Sequence, residues 1–404
     1  MMSRSKQLLF LSCIIFTQHV LAESGACPTK PWRSRGTPCS DALNTALTEV
    51  NEIINQLASP GTTCAATPIS QVDFDLSQTY TIANPGNYCL TENCTGTIII
   101  TASNVTLDLN NFDLQTTTVV NALQIYGDYV SVKNGSITAN VTTDTPIIYP
   151  IVVVFVLGSN YCHLSDVTIS LYANGIDSVS LSGLLLVKSS QNVIVERALI
   201  YSNVNTAIAL NILSTLNVFV LDSIINSSQS IINSCTNILV DGCSFKNATA
   251  HGQSSGYGLK FYDCINLTLT NSNVLNNAGC GFALSGGVTN FEIINCNAIS
   301  NGFDGINIDE TCNYGTIDSC NALSNGGNGF NVSSAGNAII VQNCDANNNN
   351  GFGFKSGNSS VRFWNNAAIN NHLGGPDYNI ASGDPVLLIG DTHFAAGYNV
   401  AGMI

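Results

Sequence analysis

From about residue 72 almost to the C-terminus, apolar residues fall in short β-rich runs cut at close intervals by Asn, Gly and Ser. Such runs predict brief β-strands joined by tight turns, with too little room between them for helices. The punctuation is registered. Gly281-Phe282, Gly305-Ile306, Gly329-Phe330 and Gly353-Phe354 recur with a step of 24 residues, and Gly258-Leu259 precedes the series by 23. Asn273, Asn297, Asn321 and Asp345 keep the same step, as do Asn277, Asn301, Asn325 and Asn349. Each period holds three strand-forming stretches, for example 291–294, 298–299 and 305–308, so one period is one coil of a β-solenoid. Phe282, Ile306, Phe330 and Phe354 are then expected to stack inside, each about 4.8 Å from the last. The turn asparagines should stack in the same way, with amides hydrogen-bonded from coil to coil.

Earlier coils are looser. Asn104, Tyr129, Asn192, Asn217, Asn237 and Asn266 each open a strand, as in Asn104-Val105-Thr106-Leu107-Asp108-Leu109. The apolar run 146–157 fits either a buried rung or a protruding loop. Leucine-rich repeats are excluded because their L-x-x-L-x-L frame is missing, and left-handed hexapeptide helices because there are no six-residue sub-repeats. What remains is an all-β fold, a single-stranded right-handed parallel β-helix with three short strands per coil of about 24 residues.

Upstream, Ser40 and Asp41 can cap a helix in which Leu43, Leu47, Val50, Ile54 and Leu57 recur at steps of three and four, closed by Ser59-Pro60-Gly61. This N-terminal α-helix is expected to cap the first coil, whose strand edges would otherwise be open. The first residues, basic and then apolar from 8 to 16, end in Val20-Leu21-Ala22 and read as a signal peptide cut after Ala22. The expected organisation is therefore a leader at 1–22, a helical segment at 23–70, and a solenoid at 71–404 with an irregular cap from about 375. No apolar span follows the leader, so the cleaved chain is expected to be secreted or held at the cell surface.

Two stretches resemble a known family. Ile82-Ala83-Asn84-Pro85-Gly86-Asn87-Tyr88-Cys89-Leu90, followed by the Val105-Thr106-Leu107-Asp108-Leu109 coil, resembles the opening coils of pectate-lyase-like right-handed β-helix proteins. The later Gly-Phe/Ile and Asn-x-x-Ile/Val coils are similar to the parallel β-helix repeat of the same superfamily, and the likeness covers residues 72 to 375. It specifies the fold better than the activity, since that superfamily holds lyases, hydrolases, epimerases and adhesins. In the enzymes it resembles, substrate lies along the sheet that begins at the Gly-Phe/Ile steps. The resemblance thus implies a binding groove lined by Lys260, Tyr262, Asn307, Asp309, Asn331 and Lys355.

Charge narrows the partners. Asp, Glu, Lys and Arg make up only 9% of the chain and its net charge is −14. Its few basic residues are too scattered to track phosphates, which excludes nucleic acid and disfavours any anionic polymer. The weak catalytic candidates are Asp304, Asp309 and His251. Phe303-Asp304-Gly305 faintly resembles the acidic motif of polygalacturonases and Ala250-His251-Gly252 their His-Gly motif, but the His precedes the acids instead of following them. Five strand residues span roughly 16 Å, whereas inverting hydrolysis places its carboxyl groups about 6.5–9.5 Å apart. Turn-capping acids and a loop histidine are the plain alternative. No cofactor motif is evident, and no His or Cys spacing suggests a metal.

The leader removed, fourteen cysteines remain in an exported chain. Cys296, Cys320 and Cys344 share one turn position, so Cys320 with Cys344 is a candidate disulfide, as are Cys235 with Cys264 and Cys89 with Cys94; buried free thiols are the alternative. The leading function is binding, to a glycan or another surface, through a polar solenoid face. The alternatives are a polysaccharide hydrolase or lyase, and a structural envelope component.

Overall fold

The structure, a computed structural model, describes residues 66–117, 121–142, 151–174, 181–203, 208–226, 229–249, 256–333, 338–357, 361–371, 378–380 and 388–389. The leader, the expected capping helix and His251 lie outside the described residues. All described residues belong to one unit, Ala66–Ile404.

Every strand pairing is parallel, and each strand pairs with its equivalent one coil away. One coil reads Phe282–Ser285, Thr289–Ile294, Asn297–Ile299, which gives the solenoid three faces. Among the described residues the first face holds 13 strands, from Thr79–Ile82 to Tyr378–Ile380. The second runs from Thr67–Ile69 to Leu388–Ile389, and the third from Cys94–Thr95 to Ala367–Ile369. Parallel strands joined by such crossovers wind right-handed, the hand that the twist of L-residue strands imposes. Side chains alternate in and out along each short strand, as in the buried, half-buried, buried sequence of Ile306–Ile308. The inward ones make a continuous core.

The expected stack is present. Leu259, Phe282, Ile306, Phe330 and Phe354 are paired in register and fully buried, and the rings of Phe330 and Phe354 lie parallel with centroids 4.9 Å apart. The third face contributes Ala298, Ala322, Ala346 and Ala368 at its inward positions, small residues that offset the bulk of the aromatic column. The glycine of each Gly-Phe/Ile step has a steric reason. A Cβ on Gly305 would come within 2.7 Å of the Gly329 carbonyl oxygen and 2.8 Å of the Asn325 amide nitrogen.

That amide belongs to a buried ladder. Asn277, Asn301, Asn325 and Asn349 each donate from Nδ2 to Oδ1 of the next asparagine, over 2.8 to 3.0 Å, ending at Asn371. Each also donates to a main-chain carbonyl, Asn325 to that of Ala298. From Asn301 on, each Oδ1 takes in addition the backbone N–H of the previous member, as Asn325 does from Asn301, and Asn277 Oδ1 takes that of Ala248. A buried primary amide is expensive without partners, and here every donor and acceptor is used.

The coils before Gly258 are not all 24 residues long, and a second asparagine column shows how register survives. Asn192, Asn217, Asn237, Asn266 and Asn290 sit at positive φ between 52° and 59°, where asparagine is better tolerated than most residues. Each donates its amide to a side chain one coil earlier, across separations of 32, 25, 20, 29 and 24 residues. Extra length is looped out elsewhere. The run 146–157 is partly settled: Ile151–Leu157 is a rung of the first face with Val153, Val154 and Val156 buried. In two coils the second and third faces run on as single strands, Val130–Thr142 and Asn160–Asn174.

Candidate functional site

On the first face the outward column Lys260, Ala283, Asn307, Asn331, Lys355 is paired in register through five successive coils. Four steps of about 4.8 Å separate its two lysines by roughly 19 Å. Tyr262 is on the same strand as Lys260, and Asp309 follows the strand Ile306–Ile308. The six residues expected to form a groove therefore share one face, four of them in a single column.

The lower end is aromatic. The Lys260 ammonium stands 5.1 Å from the Tyr257 ring centroid and 5.7 Å from that of Tyr262, a two-sided cation–π arrangement. Tyr262 also covers Gly286, where any Cβ would meet its ring at 2.5 Å. Tyr257 was not anticipated from sequence, although it stands 23 residues before Cys280 in the Gly258 register that is visible there. The centre is amide and carboxylate. Asn331 donates from Nδ2 to Asn307 Oδ1 at 3.0 Å and to Asp304 Oδ2 at 2.8 Å.

Both carboxylates are engaged by neighbouring coils. Asp304 Oδ1 accepts from the backbone N–H and the side-chain amide of Asn328, at 2.7 and 2.8 Å. Asp309 accepts from the Gly286 and Thr311 backbone N–H groups and from the Thr311 hydroxyl. With these donors on them the two acids fix coil-to-coil geometry and offer little free lone-pair capacity to a substrate or water. Chemically the face can donate and accept hydrogen bonds, stack against a flat ligand and present two cations.

A further polar cluster, on the second face, was not read from sequence because its members are in coils of unequal length. Arg197 grips Asp166 with Nε and a terminal nitrogen at 2.6 and 2.7 Å and also pairs with Glu196, which meets His163 Nε2 at 3.3 Å. The histidine hydrogen bond, opposed by burial and joined by the guanidinium, holds the Glu196 carboxyl below its usual range. The Arg197 hydrogen bonds do the same to Asp166.

The eleven described cysteines are free thiols, those of the three candidate pairs included; Cys27, Cys39 and Cys64 lie outside the described residues. Three of the thiols form a hydrogen-bonded interior column. Cys296, Cys320 and Cys344 each donate to the carbonyl two residues back, at 3.3, 3.2 and 3.0 Å. The Cys296 N–H points to Cys320 Sγ and the Cys320 N–H to Cys344 Sγ, both at 3.5 Å. Among the described residues no group of three His, Cys, Asp or Glu could hold a metal ion, and no helix is long and apolar enough to cross a membrane.

One family model fits this architecture. Residues 231–384 match the family described as right handed beta helix region. Direct comparison with curated protein sequences gives no match. Among solved structures the chain is similar to the periplasmic alginate epimerase AlgG, at 11% identity and TM-score 0.40 over 78% of this chain and 83% of the other. It is also similar to the Streptococcus pneumoniae surface protein and adhesin PfbA, at 10% identity and TM-score 0.43 over 81% and 95%. A third is pectate lyase Pel9A, at 15% identity and TM-score 0.33 over 74% and 70%.

Proposed function

We propose that this right-handed β-helix protein is exported and works by binding, taking a glycan or another polymer surface along the first face between Lys260 and Lys355. One observation carries the reading: the groove column is in register and rigidly spaced, while the acids beside it, Asp304 and Asp309, are spent on turn hydrogen bonds. Amides, an aromatic clamp and a preformed flat sheet suit recognition of hydroxyl-rich chains, since little ordering is required on association.

The test is a glycan array on the mature protein, followed by reducing-sugar and unsaturated-product assays on every glycan bound. Binding without turnover is expected, weakened by Lys260→Ala and by Tyr262→Ala. Turnover that is abolished by Asp309→Ala but not by Asp345→Ala would overturn the reading in favour of a polysaccharide hydrolase or lyase. Failure to bind any glycan on the array would return the protein to a structural role.

A further inference from the structure

The third face carries a second polar constellation, in the coils where it merges with the second face. Asp113, Ser136 and Thr168 are in register at outward positions, as are Gln115, Thr138, Ser170 and Tyr201, and Asn140 pairs with Tyr172. Thr138 and Ser170 point outward yet are 6% and 1% exposed. Their hydroxyls meet at 3.1 Å, and Thr138 also donates to Asp113 Oδ1 at 3.0 Å. Ser136 donates to the same oxygen at 3.0 Å, and Gln115 to Asp113 Oδ2 at 2.6 Å. The Tyr172 and Tyr201 hydroxyls are hydrogen-bonded to each other, with rings edge to face at 5.8 Å. Tyr172 remains 36% exposed.

We propose that this patch is a saccharide subsite, distinct from the first-face groove, for an uncharged sugar chain. Three features select that chemistry. The only charge in the two columns is a carboxylate, which rejects anions, and three side-chain donors already engage it, which weakens its pull on cations. The Gln115 and Asn140 amides and the tyrosine hydroxyls supply donors and acceptors for ring hydroxyls. Tyr172 offers an apolar face beside a polar tip, the pairing that a sugar ring with its C–H face and hydroxyl rim requires. The mutual tyrosine hydrogen bond holds both rings before a ligand arrives, which lowers the ordering cost of binding. From Gln115 to Tyr201 the patch covers three coil steps, about 14 Å, a fit for a short oligosaccharide.

The experiment is calorimetric titration of the full mature chain with cellohexaose, xylohexaose and mannohexaose, for the parent, Tyr172→Ala, Tyr172→Phe and Lys260→Ala. At least one hexasaccharide should bind, Tyr172→Ala should weaken it about tenfold, and Tyr172→Phe should fall between. Thermal melts of each variant separate lost binding from lost folding. The assignment is overturned if none of the three saturates the parent by about 10 mM, or if Tyr172→Ala binds as the parent does. It is equally overturned if the loss follows Lys260→Ala instead, which places the ligand in the first-face groove, or if tetramethylammonium displaces the sugar, which makes the patch a cation site.

Discussion

At the scale of a residue, the buried asparagine ladder is where one side chain does most for the fold. Asn325 accepts the backbone N–H and amide of Asn301 and donates to Ala298 and Asn349. Asn325→Ala removes all four bonds in a dry interior and leaves the Asn301 N–H without its acceptor, so it should cost about 3 kcal/mol in urea denaturation. Asn321, in the exposed ladder four residues earlier, donates to Asn297 at the surface where water can replace it. Asn321→Ala should stay within about 0.5 kcal/mol. Equal losses for the two would mean that burial is not what gives the ladder its weight. Arg197 acts across a coil boundary in a more solvated setting. Asp166 and Glu196 have folded values lowered below their unfolded ones, near 4. Their contribution is therefore complete above that unfolded range and disappears as pH falls through the folded values. Arg197→Ala should lower stability by about 1 kcal/mol at pH 7, because solvent screens the half-exposed Arg197–Asp166 pair. In thermal melts the gap from the parent should close on acidification below about pH 4; a gap unchanged at pH 2.5 would refute the assignment.

At the scale of an element, the turn between the second and third faces shows why serine, cysteine and asparagine replace one another. Ser223, Cys243, Ser272, Cys296, Cys320, Cys344 and Asn366 occupy equivalent positions, and each donates to a main-chain carbonyl. Ser223, Ser272, Cys320, Cys344 and Asn366 each also accept a backbone N–H from the coil before, Ser223 that of Ala198 at 3.0 Å. What the turn needs is a small group that both donates and accepts. Cys320→Ser should therefore change stability by less than about 1 kcal/mol, while Cys320→Val leaves the Cys296 N–H unpaired and should cost about 2 kcal/mol. Burial raises the Cys243 and Cys162 thiols, each to about 12, so these two carry almost no thiolate near neutrality. Iodoacetamide at pH 8, read by mass spectrometry, should leave Cys243 and Cys162 unmodified in the folded protein and alkylate them in denaturant. Rapid native alkylation at either would contradict a sealed interior.

At the scale of the whole molecule, each coil touches its neighbours along one axis, so damage should spread locally. With Asn325→Ala, hydrogen exchange should rise in the coils holding Ile306–Ile308 and Phe330–Val332 and stay unchanged in Thr79–Ile82 and Gly86–Leu90. A uniform rise along the chain would show global cooperativity instead. The 24-residue register between Asn273 and Phe354 was legible because a solenoid forces equivalent residues into one chemical environment, which stamps its period on the sequence: Phe282 to Phe354 stack, and Asn277 to Asn349 form a ladder. The first-face column followed from the same period. Coils of 20 to 32 residues carry no fixed step, so Asn192 to Asn237 could be recognised as strand openers but not as one hydrogen-bonded column. The sequence by itself determined the solenoid, its inward stack and which residues line the first face, because those depend on local alternation and repetition. Tertiary structure alone decided that Asp304 and Asp309 are tied to neighbouring coils, that the described thiols are free and those of Cys296, Cys320 and Cys344 hydrogen-bonded, and that Asp113, Ser170, Tyr172 and Tyr201 meet on one surface. Each of those outcomes includes a contact between residues 20 or more apart, whose spacing depends on how much chain each turn loops out.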